Sequence, residues 1–239
     1  MNKIKMNNNK SSNFLHIKNI FESISSEYDF MNDLMTFKNH SKWKKEIAEI
    51  AKYSSPEKIL DVATGTGDIA INLSKIKGSK IEGVDVSGNM LKIARKKIDK
   101  LKIDNIVLKT CEAENLVFED NHFDIVSIGY GVRNFSNLEK GLSESYRVLK
   151  KDGKLIILET SIPENFIIKF LYTIITSIYI PLIAFIFSGK TKAYLYLLDS
   201  TKKFPPKNKF IEMLYRTGFE KVETRKKLYG ASTIYIISK

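Results

Sequence analysis

Lys58–Asp68 reads KILDVATGTGD, an apolar run that passes into a turn of small residues holding Gly65 and Gly67. Small residues at a strand-to-helix turn let the backbone approach a ligand, and they leave helix N–H groups pointing at it. Outward from this stretch the chain alternates. Lys58–Val62 reads as a strand, Ile69–Lys75 as a helix and Lys80–Asp85 as a strand. Ser87 caps a helix to about Leu101, and Ile106–Thr110 and Phe123–Tyr130 are further strands. A helix over about Leu138–Leu149 leads to a fifth strand, Gly153–Glu159. Strands alternating with helices of this length imply parallel pairing with right-handed crossovers, hence a doubly wound α/β sheet. The runs IVSIGY and LIIL are nearly all apolar, as expected of strands covered on both faces.

The chain finishes differently. Lys207–Thr217 is a helix closed by Gly218, and strands Val222–Leu228 and Ser232–Ser238 follow, joined by a turn at Gly230-Ala231. So short a link makes the pair antiparallel. The expectation is a mostly parallel, seven-stranded sheet that ends in an antiparallel hairpin. Before it, Ile17–Lys52 has helical periodicity (Ile20, Phe21, Ile24), with Ser41 as cap of a helix carrying Trp43, Ile47 and Ile50, and Pro56 as the break. Residues 1–13 read as a disordered tail and 14–239 as one domain, with a helical lid over 14–55 and an apolar helical insertion over 160–205.

Composition narrows the function. Over 239 residues, Lys+Arg 39 against Asp+Glu 27 gives a net charge of +12, and 43% of residues are hydrophobic. That is ample for a packed core. The lysines are spread along the chain and read as solvated faces, without a zinc-finger, RNP or basic-zipper pattern. One cysteine, Cys111, excludes a disulfide framework, and scattered His16, His40 and His122 lack metal-ligand spacing, so no metal is expected. No apolar stretch of signal-peptide kind follows the polar start, and a cytoplasmic protein is expected.

The glycine turn, Asp61 inside the first strand and Asp85 at the end of the second form a nucleotide-type site at the carboxyl ends of the strands. A carboxylate at Asp85 can accept from both hydroxyls of a ribose. The spacing D-x-A-x-G-x-G differs from the dinucleotide pattern G-x-G-x-x-G. An acid beside the turn suits a ligand with a cationic sulfonium and an amino group. With the closing hairpin, the pattern resembles the class I S-adenosylmethionine (SAM) methyltransferases, a Rossmann-like fold.

A closer resemblance rests on FESISSEYDFMND (Phe21–Asp33), DVATGTGD (Asp61–Asp68), DIVSIGYGVRN (Asp124–Asn134), YRVLKKDG (Tyr146–Gly153) and YLYLLDS (Tyr194–Ser200), with Phe204-Pro205 and Gly218-Phe219. In that order, over about residues 17–239, they resemble the quinone C-methyltransferases of menaquinone and ubiquinone biosynthesis. YDxMND with GVRN is the specific part. The resemblance implies SAM as cofactor, held at Asp61, Gly65, Thr66, Gly67, Asp85, Glu112, Ala113 and Gly129. Gly129 stands where some relatives carry Ser, and Glu112 where relatives often carry Asn or Asp.

It also implies methyl transfer to a ring carbon of a hydroquinone, with Arg133, Asn134 and Tyr28 as catalytic residues. A phenol ionises near 10, and a nearby Arg lowers that by about 1–3 units. Arg133 suits this electrostatic role and Asn134 the holding of the second hydroxyl, while Tyr28 closes over both reactants. The plainer alternatives are a surface salt bridge for Arg133 and core packing for Tyr28. The expected reaction is conversion of a polyprenyl demethylmenaquinol to menaquinol. C-methylation of a polyprenyl benzoquinol on the way to ubiquinone is the near alternative, and a non-catalytic SAM-fold accessory protein the distant one. An RNA methyltransferase fits the charge, yet the chain has no N/D-P-P-Y/F tetrapeptide.

Ile167–Phe187 holds one charge, Lys169, over 21 residues or about 31 Å of helix, enough to span a bilayer. The strands on either side must meet in one sheet, which argues against a span, and Pro181 is expected to kink the run. Two readings stay open: a buried helical cap, or an apolar lid that takes a polyprenyl tail and rests on the membrane. The candidate partners are a polyprenyl hydroquinone, a peripheral membrane surface and a second copy of the chain; nucleic acid is not among them.

Overall fold

The computed structural model describes residues 15–239, so the tail expected over 1–13 lies outside the described residues. Seven strands form one sheet: β1 (Lys58–Val62), β2 (Lys80–Asp85), β3 (Ile106–Thr110), β4 (Phe123–Gly129), β5 (Leu149–Thr160), β6 (Lys221–Lys227) and β7 (Ser232–Ser238). Their order is β3-β2-β1-β4-β5-β7-β6. The first five pair in parallel, and β7 runs antiparallel between β5 and β6. The order reverses between β1 and β4, which places a crevice beyond the carboxyl ends of those two strands.

Alternation along the strands divides the core in two. Leu60, Val126, Leu155 and Ile157 face α6 (Leu138–Val148) and α10 (Lys207–Thr217), packing with Leu142, Phe210 and Leu214. Ile59, Ile125, Ile156 and Leu158 face α3 (Asn39–Lys52) and α4 (Asp68–Leu73) through Ile47, Ala51 and Ile69. With both faces covered, the apolar strands need no polar side. A third cluster ties the start of the chain to the insertion. Ile24 and Met31 pack with Met90 of α5 (Gly88–Leu101), Ile183 and Ala184 of α8 (Ile180–Phe187), and Tyr194 and Leu197 of α9 (Thr191–Lys203).

Most boundaries fall within a residue or two of expectation, and three regions differ in kind. The helical start divides into α1 (residues 15–24), α2 (Tyr28–Thr36) and α3. Between α2 and α3, Phe37 and Lys38 take left-handed conformations at φ 50° and 61°. Ser41 therefore lies inside α3 rather than capping it. Strand β5 starts at Leu149, four residues early: Phe123 pairs with Leu149, the register then shifts, and Ile125 pairs with Lys154. Lys150–Gly153 forms the bulge, with Asp152 at φ 63°. The β6–β7 link is a short turn over Leu228–Gly230, with Tyr229 at φ 54°.

The apolar insertion is one helical run, α7 (Phe166–Ile174), a π turn (Ile175–Tyr179) and α8. Pro181 has no N–H for the turn before it, and the π turn absorbs that loss.

Candidate active site

The turn after β1 is built by its own side chains. Asp61 is wholly buried; its oxygens accept from the Thr64 hydroxyl at 2.6 Å and the Ser127 hydroxyl at 2.6 Å. Burial pushes its carboxyl up to about 6, against those two bonds and one from the Ala70 N–H. Ala63, Gly65 and Gly67 all have positive φ, at 54°, 56° and 84°. Gly67 is the N-cap of α4, where a Cβ would stand 3.0 Å from that of Ala94. Gly65 turns its N–H toward Asp85 Oδ2 at 2.8 Å, and Ser87 N–H donates to Oδ1 at 2.8 Å. Burial pushes the Asp85 carboxyl up to about 6, opposed by these backbone donors.

Above this turn lies a cleft at the carboxyl ends of β1 and β4. Gly65, Asp85, Val86, Ala113 and Gly129 line it. Gly129 and Gly131 are fixed by close packing: a Cβ on the first would meet Ile69 Cδ1 at 2.2 Å, and on the second the Ala63 Cβ at 2.6 Å. Tyr28, Tyr130, Gly131 and Asn134 also line it, as do Ile17 and Phe21 of α1 and Met90 of α5. Tyr28 stands edge-on to Phe21, ring centres 6.2 Å apart. Asn134 donates to the Tyr130 carbonyl at 3.2 Å, and its Oδ1 is buried without a partner among the described residues. A buried acceptor left open on a cleft wall suits a ligand donor.

Of the residues singled out from the sequence, Tyr28, Gly65, Asp85, Ala113, Gly129 and Asn134 line the cleft. Asp61, Thr66, Gly67, Glu112 and Arg133 do not. Asp61 and Gly67 shape the turn from behind. Thr66 donates to Asp29 Oδ1 at 2.7 Å and so holds α2 down. Asp29 Oδ2 also pairs with Lys97 at 2.5 Å, and Lys97 bridges to Asp68 at 2.7 Å. Lys44 pairs with the same Asp68 at 2.8 Å, and the two lysines hold that carboxyl, despite its burial, at about 2. Glu112 is exposed, whereas Glu114, two residues on, is buried on the cleft and accepts from Asn137 N–H at 3.1 Å. Cys111, assigned no role from the sequence, also reaches the cleft wall.

Arg133 sits on a single turn of 3₁₀ helix (Val132–Asn134) after β4 and is no surface residue. Its side chain is 6% exposed and pairs through Nη1 with Glu159, itself wholly buried. Burial lowers its pKa, and Glu159 more than restores it, so the net direction is up. Sequence reasoning missed Glu159, Glu114 and Tyr130. A lone acid at the end of the apolar run LIILE was the signal for Glu159.

The residues fit SAM. Asp85 offers a carboxylate at the end of β2, and Gly65, with open space where a Cβ would stand, leaves room for close approach. The description "ubiE/COQ5 methyltransferase family" fits residues 5–239. A demethylmenaquinone methyltransferase of Chlorobaculum tepidum is 40% identical over 93% of this chain and 92% of its own length. One from Bacteroides fragilis is 34% identical over 99% of this chain and 98% of its own. Among solved structures, a SAM-dependent methyltransferase from Thermotoga maritima is similar at TM-score 0.62 and 21% identity, over 94% of this chain and 100% of its own. A SAM-dependent methyltransferase from Aquifex aeolicus reaches TM-score 0.56 at 20% identity, over 76% of this chain and 81% of its own. Likeness at that identity shows the fold.

Proposed function

Because the chain belongs to the ubiE/COQ5 methyltransferase family, we propose that it converts a polyprenyl demethylmenaquinol to menaquinol by SAM-dependent methylation of a ring carbon. It is an enzyme, a methyltransferase that uses SAM. The observation that carries the substrate is the near full-length match to demethylmenaquinone methyltransferases from distant bacteria. When bound, SAM supplies an electrophilic methyl group on a sulfonium.

The chain's own residues do the rest. Asp85 accepts from the ribose, Gly65 admits the ligand against bare backbone, and Ala113 with Glu114 borders the adenine. Asp61, Thr66 and Gly67 act on the cofactor through the shape of the turn. On the acceptor side, Asn134 Oδ1 accepts a hydrogen bond from a hydroxyl of the hydroquinone, and Tyr28 covers both reactants. Arg133 favours the acceptor's ionised form, which carries charge to the ortho carbon. Its guanidinium stays protonated and so stabilises the anion without acting as base; water or a neighbouring side chain takes the hydroxyl proton and, after transfer, the ring proton from the methylated carbon. Bringing both reactants into line contributes alongside charge.

The enzyme works at the cytoplasmic membrane surface, where its substrate resides. Phe166, Ile167, Phe170, Leu171, Ile178, Leu182, Phe185 and Ile186 of the insertion are exposed, Phe166 at 82%. Lys169, Thr173, Thr176 and Ser177 turn the other way, toward a hollow shared with Leu195, Asp199 and Lys202 of α9. An arm with its apolar side outward is suited to lying in an interface. By length and composition Phe166–Phe187 is long enough to cross a membrane. However, β5 before it and β7 after it are paired, so both its ends lie on one side.

Purified protein with labelled SAM, offered reduced demethylmenaquinone or the polyprenyl benzoquinol, tests the substrate. Label in menaquinone is expected, and label only in the benzoquinol product overturns the assignment. Calorimetric titration showing no SAM binding would favour an accessory role instead.

A further inference from the structure

The guanidinium of Arg133 is held on three sides. Nε donates to the Ser200 hydroxyl at 3.2 Å, and Nη1 donates to the Tyr130 carbonyl at 3.1 Å and to Glu159. Nη2, with two N–H groups, makes no hydrogen bond among the described residues. Glu159 holds more than the side chain. Its Oε2 accepts the Arg133 backbone N–H at 3.2 Å, and Oε1 accepts from Thr160 N–H at 2.7 Å and the Thr160 hydroxyl at 3.2 Å. One buried carboxylate thus fixes both the turn that carries Arg133 and the end of its side chain.

A buried ion pair is poor evidence for stability, because apolar side chains of similar volume often serve as well. What such a pair provides is geometry, and here it leaves one edge of a planar fork unused. The groups around the fork come from four elements. Tyr130 lies on its own loop, Tyr28 on α2, Tyr172 on α7 and Tyr196 on α9. Burial pushes the phenols of Tyr130, Tyr172 and Tyr196 up, so they stay neutral. Glu159 is then the anion that balances Arg133.

We infer that Glu159 is a positioning residue for methyl transfer: with Ser200 it pins Arg133 behind Tyr130 on the cleft wall, 5.8 Å from that ring's centre, and its charge sets how strongly the buried guanidinium favours ionisation of the hydroquinone hydroxyl. The inference rests on the reading of Arg133 as the charge that favours the acceptor's ionised form. Ser200 belongs to α9, so the pin joins the insertion to the chemistry.

Charge and position separate experimentally. The pH dependence of kcat with demethylmenaquinol is measured for wild type, Glu159→Gln, Glu159→Asp and Ser200→Ala, with SAM affinity as the check on folding. Glu159→Gln leaves Arg133 unbalanced; the ascending limb of kcat moves about 1–2 pH units lower, and the plateau falls. Glu159→Asp keeps the charge but shortens the arm, so the limb stays while the plateau falls roughly 10–100-fold. Ser200→Ala lowers the plateau less and leaves the limb in place. A structural role alone would weaken folding in both Glu159 variants and move the limb in neither.

Wild-type limb and plateau in Glu159→Gln with normal SAM binding overturn the inference. Should Glu159→Gln not fold, unchanged turnover in both Glu159→Asp and Ser200→Ala overturns it. Arg133→Lys keeps the failures apart. If its turnover is unaltered, the reading of Arg133 itself falls; if it is impaired while the Glu159 and Ser200 variants are not, only the positioning role falls.

Discussion

Asp85 is ready for its ligand at the cost of its own ionisation. With its carboxyl near 6, the acceptor form is lost as pH falls below that value. SAM affinity, measured by calorimetry, is expected to weaken up to about tenfold per pH unit below about 6, and Asp85→Asn to bind weakly at every pH. Asp61, also near 6, affects folding instead. Its folded pKa is raised, so its stabilising contribution is full below about 4 and is lost as pH rises through about 6. Denaturation of wild type and Asp61→Asn should show wild type losing about 3 kcal/mol relative to the variant between pH 4 and pH 8. A constant difference would show the buried charge fully compensated. Asp68 has the opposite sign: held near 2 by Lys44 and Lys97, it stabilises above about 4 and stops doing so as pH falls toward 2. The acids on β1 and β2 were legible because each interrupts or ends an apolar strand. The choice between Glu112 and Glu114 was not, since residues two apart share a side only where the backbone stays extended, and the chain turns here after β3.

At the level of elements, the lid is latched rather than merely packed. Asp29 of α2 accepts from Thr66 in the glycine turn and pairs with Lys97 of α5. Asp29→Ala removes both bonds. SAM should then dissociate about tenfold faster in stopped-flow measurements, with smaller change in association. An unchanged off-rate would mean that α2 does not gate the cleft. Strands and parallel helices could be read from periodicity because each is bounded by Gly, Pro or a capping side chain. The lid could not be divided that way: its second break falls at Phe37-Lys38, two non-glycine residues with positive φ, which no local preference announces. Likewise Lys150–Gly153 reads as the turn before a strand, while pairing of Leu149 with Phe123 makes it a bulge within one.

For the molecule as a whole, the arm should govern where the enzyme works. Replacing Phe166, Phe170 and Phe185 together by Ser is expected to weaken binding to anionic vesicles at least a hundredfold in co-sedimentation, at about 1.5–3 kcal/mol for each side chain withdrawn from lipid. Turnover of a short-chain, water-soluble quinol should persist while that of the long-chain substrate falls. Binding that ignores lipid charge would count against a part for the net charge of +12. The arm's apolarity was plain in the sequence. Its outward aim was not, because composition records how apolar a helix is and nothing of which neighbours remain to cover it.

The position of β7 between β5 and β6 bears on how the chain is assembled. The segment synthesised last in the sheet is an interior strand, and β6 has no other attachment to the sheet. A polypeptide cut at residue 231 therefore carries a bare β5 border presenting Leu155 to Leu158. Such a fragment should clump during expression rather than yield a smaller working enzyme.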